Sequence, residues 1–319
     1  MESCLDRRSV ENALKSLPKT LDDTYCRNLE SIPFEHLEAA TRVLQFLTYS
    51  ERPLTVHEVV DAIAVNIREQ PHFHTKYRMP GPNEITSFCS SLVVKMPGEG
   101  NEWMEHEDCT SRQLAHFSVK EYLTSDRLPK SIQSHIQEPA AGVAAAKVFL
   151  ACLLHFDHDI TKTESLHDFP FAEYSAMFWM KNLPGSLSEE DDLRNFIERL
   201  CCDHKISYNV CFRLHQPDQR YPLGKPVPEL YFAAFLNIAR VVKLLTEKGA
   251  DVNAKGGYYG NALQAASYQN HLRVFKLLLE KGADVNAQDK DSVENRLQRA
   301  SSQDLKQILQ PGSKMSVPN

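Results

Sequence analysis

The sequence predicts a mostly α-helical protein that ends in a short solenoid of helix-pair repeats. The octapeptide Glu-Lys-Gly-Ala-Asp-Val-Asn-Ala begins at Glu247 and again at Glu280, 33 residues later. Apolar residues follow helical spacing through most of the chain, and only two short stretches, 92–96 and 112–117, have strand character. A period of this length is typical of helix pairs that stack on their neighbours because one pair cannot bury its apolar face alone.

Composition sets the broad class of the protein. The chain has 319 residues, 42% of them hydrophobic, which is enough for two or three domains with their own cores. Its net charge of −6 gives no electrostatic reason to expect a nucleic acid or an anionic membrane as partner. No apolar run reaches the ~18 residues that a membrane span needs, and the amino terminus does not resemble a secretory signal. The eight cysteines are scattered, so we expect reduced thiols and a cytoplasmic location.

Residues 1–33 are interpreted as the end of a helical segment. Thr20 and Asp23 have the spacing of a helix cap with its reciprocal acid. Leu21, Tyr25 and Leu29 then follow one helical face.

Residues 34–125 predict three helices and a two-stranded wing, which together make a winged-helix domain. The first helix carries an apolar stripe from Phe34 to Leu47, and Thr55 with Glu58 forms a capping box that starts the second. A third helix is expected over residues 83–92. The two strands then flank a polar tip at 97–111, and Ser118 with Glu121 is predicted to cap a last helix.

Many winged helices bind DNA through their third helix, but this sequence argues against that role. Residues 83–92 contain no lysine or arginine. The wing tip carries five acids, and duplex DNA binding requires several cations that displace counterions. These acids are Glu99, Glu102, Glu105, Glu107 and Asp108.

Residues 126–220 predict a helical connector that ends in a proline-rich linker. One stripe runs from Val143 to Leu154, and a second, strongly aromatic one runs from Phe171 to Trp179. We interpret these aromatic side chains as helix-packing core rather than as a ligand cage. A third helix over 188–203 opens with Glu189, Glu190 and Asp191, which suit the positive end of a helix.

Residues 221–319 predict about two repeats and a degenerate terminal unit. Val241, Leu244 and Leu245 lie on one helical face and recur 33 residues later. Asn237 and Asn270 fall between the helices of each unit, where a left-handed backbone is needed. The segment resembles the ankyrin-repeat family, most closely at Asn261–Ser267, and residues 255–260 then form its projecting turn.

Several strings together resemble fungal NACHT–ankyrin proteins of the STAND signalling class, relatives of NOD-like receptors. The middle block is similar to the winged-helix module named after GPI inositol-deacylase. In that family a nucleotide-binding core is followed by a helical piece, a winged helix, a helical connector and an ankyrin array. The resemblance therefore implies that this chain corresponds to the part after the core. The strings are Leu17–Tyr25, Leu44–Leu54, Cys89–Val94 and Leu114–Leu123.

The chain lacks the motifs that would make it an enzyme. A NACHT core needs the G-x-x-x-x-G-K-[ST] string that cradles phosphates, and no such string occurs. There is no G-x-S-x-G elbow for an esterase. The histidines at 72, 74, 155 and 158 lack the spacing of a zinc site. We therefore expect no enzymatic activity, metal, cofactor or small-molecule ligand.

The resemblance gives His116 one possible role. In the wider class a winged-helix histidine contacts the β-phosphate of bound ADP, and a proline packs on the adenine; His116 matches the first position and Pro18 the second. The alternative is that His116 ends a strand, faces inward and bonds to backbone. We favour the alternative for this chain, because the sensor role needs a nucleotide core from a longer product or in trans.

The sequence therefore predicts a non-enzymatic regulatory module that binds a protein partner through its ankyrin repeats. Lys255, Tyr258 and Tyr259 in the projecting turn are the candidate contacts, with a solvated turn of locally packed tyrosines as the alternative. A degenerate copy without a role remains a third possibility. Two repeats fall below the three usually needed for stability. We therefore expect the connector to cap the array.

Overall fold

A computed structural model describes residues 17–79, 81, 89, 92–96, 111–156, 168–183, 192–215 and 227–285. They divide into two compact units, unit 1 (to residue 64, and 74–145) and unit 2 (65–73, and from 146). Several predicted features lie outside the described residues. These are most of the third winged-helix helix, the wing tip, Glu189–Asp191, most of the linker and the terminal unit.

Unit 1 combines helices with a small sheet, as a winged helix requires. Two short 3-10 turns, Phe34–His36 and Thr75–Tyr77, accompany the longer elements. The helices are α1 (Leu21–Glu30), α2 (Leu37–Tyr49), α3 (Val56–Ala64), α4 (Phe117–Leu123), α5 (Lys130–Ile136) and the start of α6 (Ala140–Leu153). The strands are β1 (Leu54–Thr55), β2 (Val93–Met96) and β3 (Ser111–Leu114).

Two predicted helix caps in unit 1 are confirmed. At the start of α1, the Asp23 amide donates to Thr20 Oγ1 and the Thr20 amide donates back to Asp23 Oδ2. Before α3, the Thr55 amide donates to Glu58 Oε2 at 2.8 Å and the Glu58 amide donates to Thr55 Oγ1 at 3.2 Å. Each reciprocal pair satisfies two amides that the first helical turn leaves without partners.

The sheet has one strand more than the sequence predicted. Its order is β1-β3-β2, with both pairs antiparallel. β1 opposes β3 with Leu54 across from Arg112, and β2 opposes β3 with Val93 across from Leu114. A two-residue strand is too short to show alternation, so no sequence pattern marked β1. β3 also ends at Leu114, three residues before the predicted end at Phe117.

The core of unit 1 lies between α1, α2, α3, α4 and the sheet. Leu44, Leu54 and Leu123 are at most 1% exposed. α1 packs on α4 through Tyr25 and Tyr122, whose ring centroids are 5.5 Å apart.

The regular secondary structure described in unit 2 is helical, apart from one isolated antiparallel bridge between Lys255 and Asn261. Beyond the end of α6, α8 continues into a π-helical turn, Arg199–Asp203. The predicted aromatic stripe is buried core, since Phe171, Tyr174 and Trp179 are at most 1% exposed. The helices after α6 are α7 (Pro170–Phe178), α8 (Asp192–Glu198), α9 (Lys205–His215), α10 (Glu229–Phe235), α11 (Ala239–Glu247), α12 (Ala262–Tyr268) and α13 (Leu272–Glu280).

Two ankyrin helix pairs, α10–α11 and α12–α13, form the end of the described chain. Asn237 and Asn270 have φ values of 61° and 60°, which confirms their predicted left-handed position between the helices of each pair. α10 packs on α12 and α11 packs on α13. The inner helices approach closely because alanines 233, 234, 265 and 266 face the contact and are at most 1% exposed.

The connector helices cover the first repeat. Tyr208 and Phe212 of α9 place their ring centroids 5.9 and 5.4 Å from that of Phe232. Glu198 of α8 forms an ion pair with Lys248, the residue that follows α11. The distance from Lys248 Nζ to Glu198 Oε2 is 2.8 Å. These contacts are those that a capping element would make on an array with too few repeats.

Candidate functional site

His116 lies between β3 and α4, at the start of the helix rather than inside the sheet. Its backbone is extended (φ −155°, ψ 154°) and its Nδ1 accepts the Ser118 amide at 3.2 Å, so it is the N-cap of α4. The predicted cap by Ser118 and Glu121 is therefore wrong, because α4 begins at Phe117 and includes both residues. The expectation that His116 faces inward is also wrong, since the side chain is exposed.

The cap geometry determines the tautomer of His116. Since Nδ1 accepts a backbone amide, the ring proton of the neutral side chain is on Nε2. Ser118 Oγ lies 2.8 Å from Nδ1 and 2.8 Å from Tyr25 Oη, so three side chains from α1, α4 and its cap form one polar chain. The hydrogen bonds at Nδ1 therefore fix the orientation of the imidazole ring, and Nε2–H is available to donate a hydrogen bond.

A shallow pocket of about 370 Å³ lies beside His116 in unit 1. Four basic side chains line it: Arg52, Arg112, His116 and Lys120. Glu51 is the acidic side chain of the lining. The pocket is open and its basic members come from three separate segments, so the fold brings together what the sequence keeps apart.

The charge of this pocket is partly compensated. Arg52 makes two bonds to Glu58, with Nη1–Oε2 at 2.9 Å and Nη2–Oε1 at 2.5 Å. Arg112 is only 1% exposed, and its burial lowers the pKa of the guanidinium. Because Arg52 is paired and Arg112 is buried, an anion in this pocket would meet chiefly Lys120 and the Nε2–H of His116.

The structure does not bring Pro18 to the same place. Pro18 precedes α1, where it is half-buried, and it is not among the residues that line the pocket. Conversely, the sequence did not single out Arg52, Arg112 or Lys120. No motif links three cations so far apart in the chain, and only the alternation of β3 against β1 could have suggested that Arg112 is buried.

The ankyrin turn that holds the predicted contacts is a compact hairpin. Lys255 and Asn261 form an antiparallel bridge, and the Gly256 amide donates to the Gly260 carbonyl at 2.8 Å. Gly257 has a φ of 75° and lies directly against the Tyr231 ring, so a Cβ at this position would overlap the ring. The turn is therefore seated on the inner helix of the preceding repeat.

The two tyrosines of the turn have different environments. Tyr259 is half-buried, stacks on Phe235 and Tyr268 with centroid distances of 5.9 and 4.2 Å, and donates its amide to Tyr231 Oη at 3.4 Å. Tyr258 is 49% exposed and meets Tyr259 edge-on. Tyr258 and Lys255 are thus the accessible side chains of the turn, while Tyr259 holds it in place.

Two other residues with reactive side chains, His155 and Cys201, are packed within the helical core. His155 packs against the rings of Phe73 and Phe169, both at centroid distances of 5.2 Å. Burial raises the pKa of Cys201 well above its usual value, which disfavours its thiolate. Among the described residues, no three potential ligands cluster as a metal site would require. None of the described helices has the length and apolarity needed to cross a bilayer.

Comparison with known proteins identifies two segments of the chain. Residues 28–135 match the family model of the GPI inositol-deacylase winged helix domain, and residues 199–289 match that of ankyrin repeats in three copies. The azaphilone pigments biosynthesis cluster protein L of Monascus ruber is 30% identical over 287 residues, which cover 83% of this chain and 60% of that protein. No solved structure matches significantly. The chain thus carries a winged-helix domain of the GPI inositol-deacylase type and ankyrin repeats.

Proposed function

We propose that this chain is a non-enzymatic, cytoplasmic regulatory module that recognises a protein partner through its ankyrin turn. The observation that carries this proposal is the exposed Tyr258, presented on a hairpin that Gly257 seats against Tyr231. Aromatic side chains with little freedom are effective anchors, because holding them in place costs little conformational entropy on binding. Ankyrin arrays are stacks whose extended surfaces serve recognition.

The wider proposal is that the chain acts as the sensor half of a NOD-like receptor. Its support is the resemblance of four sequence strings to NACHT–ankyrin proteins, together with the order winged helix, connector and ankyrin repeats. The chain spans about 60% of the length of its Monascus relative. Because the sequence has no G-x-x-x-x-G-K-[ST] string, this proposal requires a nucleotide-binding core from a longer product or another chain.

The interaction role is tested with the tagged full chain and a tyrosine-matched pair of variants. Proteins captured from an extract of the source organism by wild type, Tyr258→Ala and Tyr77→Ala are quantified by mass spectrometry. Tyr77 is a suitable control because it is 57% exposed but belongs to unit 1. We expect Tyr258→Ala alone to lose a partner. Equal capture by all three proteins would refute the role of the turn.

A second function, sensing of a bound nucleotide, is favoured by the Nε2–H of His116 beside a basic pocket. Calorimetric titration with ADP tests it. His74 is a matched control, since it also caps a helical turn through Nδ1, which accepts the Lys76 amide at 3.2 Å. Binding that is lost in His116→Ala and kept in His74→Ala would establish the sensor. Absence of binding by the wild-type chain would count against a site that works without a core.

A further inference from the structure

The pocket beside His116 in unit 1 combines an apolar wall with hydrogen-bond donors. Phe117 is 66% exposed, although burial of a phenylalanine ring is favourable. The ring centroids of Phe117 and His116 are 5.2 Å apart, so the apolar wall and one donor are adjacent. The pocket can therefore hold an apolar group and an anionic group side by side. Its apolar lining consists of Leu47, Pro53, Leu114 and Phe117.

Two donors of this pocket lie on one side of α4. His116 is the N-cap residue and Lys120 follows four positions later, a spacing that makes side chains neighbours on a helix. Because His116 Nδ1 accepts the Ser118 amide, Nε2–H is the donor that remains on the ring. Lys120 is exposed, and no carboxylate of the described residues forms an ion pair with it. An ammonium group and an imidazole N–H at this spacing suit the two oxygens of one carboxylate.

The charge of the pocket favours a ligand with a single negative charge. Its cations are Arg52, Arg112 and Lys120. Glu51 also lines the pocket, and Glu58 pairs with Arg52. These three cations and two acids give a formal charge of +1, which one carboxylate neutralises. A phosphorylated side chain or a nucleoside diphosphate carries more negative charge and would be repelled by Glu51.

We propose that this pocket binds the free carboxyl terminus of a partner protein whose last residue is apolar. A terminal residue carries its carboxylate and its side chain on the same Cα. The carboxylate can therefore accept bonds from Lys120 and His116 while the side chain packs on Phe117. Capture of a terminal carboxylate is a recurring mode of peptide recognition. The inference goes beyond the proposed function and depends neither on the Tyr258 turn nor on nucleotide sensing.

Two other carboxylate ligands fit the pocket less well. An internal aspartate or glutamate presents its carboxylate beside polar peptide groups, which would leave the Phe117 ring without an apolar partner. A small-molecule site encloses most of the surface of its ligand, whereas this pocket is shallow and open. An open pocket suits the end of a chain, because the rest of the chain continues into solvent.

The test measures the fluorescence anisotropy of the peptide fluorescein-GSGSLF with the full chain at low salt. The same peptide with an amidated carboxyl terminus is the matched ligand, because it lacks only the terminal charge. We expect amidation to weaken binding by about tenfold, since the hydrogen bonds to a charged group are lost.

Two pairs of variants locate the site. Lys120→Gln removes a donor of the pocket, and Lys130→Gln removes an exposed lysine of unit 1 outside it. Phe117→Ala removes the apolar wall, and Phe34→Ala removes a ring that is 90% exposed elsewhere in unit 1. We expect the first variant of each pair to bind the free-acid peptide about three- to tenfold more weakly, and the second to bind it like wild type.

Each other outcome contradicts the terminal-carboxylate site. Equal binding of the free and amidated peptides, or no binding of either, would exclude it. Equal weakening by the two variants of a pair would show that the effect does not come from the pocket. Tighter binding of ADP than of the peptide, lost in Lys120→Gln, would assign the pocket to a nucleotide. Partner capture through Tyr258 is measured separately, so its result does not depend on this site.

Discussion

At the scale of single residues, the surroundings of His72 favour its neutral form. The side chain is 8% exposed in unit 2 and packs against the ring of Phe196. Its Nδ1 donates to the Asn66 carbonyl at 3.0 Å, and Nε2 accepts from Arg199 Nη1 at 2.9 Å. Burial, with the nearby charge of Arg199, lowers the pKa of His72 below 6.5. A proton on Nε2 would break the bond from Arg199.

This arrangement predicts that unit 2 loses stability in mild acid. Because the folded-state pKa of His72 lies below the unfolded value, the unfolded chain binds the proton more tightly. The free energy of unfolding therefore falls as pH drops below about 6.5. Urea midpoints measured at pH 7.5, 6.5 and 5.5 should fall less for His72→Gln than for wild type. The His72→Gln variant should keep part of the acid sensitivity, because burial also lowers the pKa of His215.

The control for this prediction is His135→Gln, which replaces an exposed histidine of unit 1. It should keep the acid sensitivity of the wild-type protein. If His72→Gln and His135→Gln show the same pH dependence, His72 does not contribute to it.

At the scale of elements, the ankyrin turn depends on one close approach as well as on backbone conformation. Gly257 and Gly249 both have positive φ values, 75° and 84°. A Cβ at Gly249 would have no atom within 4 Å, whereas a Cβ at Gly257 would overlap the Tyr231 ring. A side chain at Gly249 would therefore cost only the free energy of a left-handed backbone. A side chain at Gly257 would also disrupt the contact between the turn and the Tyr231 ring.

We predict that Gly257→Ala destabilises the protein more than Gly249→Ala. The second change should cost about 1 kcal/mol, because only the left-handed conformation opposes it. The first change also forces the turn away from Tyr231 and should weaken partner capture through Tyr258. Urea unfolding and the capture assay measure both effects. Equal loss of stability in the two variants would show that the turn can shift without cost.

At the scale of the whole molecule, the connector helices cover the exposed end of the first ankyrin repeat. Phe232 of the first repeat is 3% exposed, and rings of α9 cover it. Arg194 of α8 pairs with Glu198 at 2.9 Å and reaches Glu247 of α11 at 3.5 Å. Apolar cover and paired charges together end the stack in the manner of a capping repeat.

We therefore predict that residues 225–319 do not fold cooperatively alone. Without α8 and α9 the fragment exposes Phe232, so a broad thermal transition or aggregation is expected. A longer fragment, 168–319, retains both helices and should recover a steeper transition by circular dichroism. A sharp two-state transition for 225–319 would refute the capping role of the connector.

The sequence by itself determined the helical class, the repeat and much of the local geometry. The caps at Thr20 and Thr55 and the left-handed Asn237 and Asn270 were predictable, because each depends on residues within a few positions in the chain. Only the tertiary structure decided where His116 points, that β1 joins the sheet and which cations share a pocket. Those features depend on contacts between segments tens of residues apart, and neither periodicity nor a cap motif records such contacts.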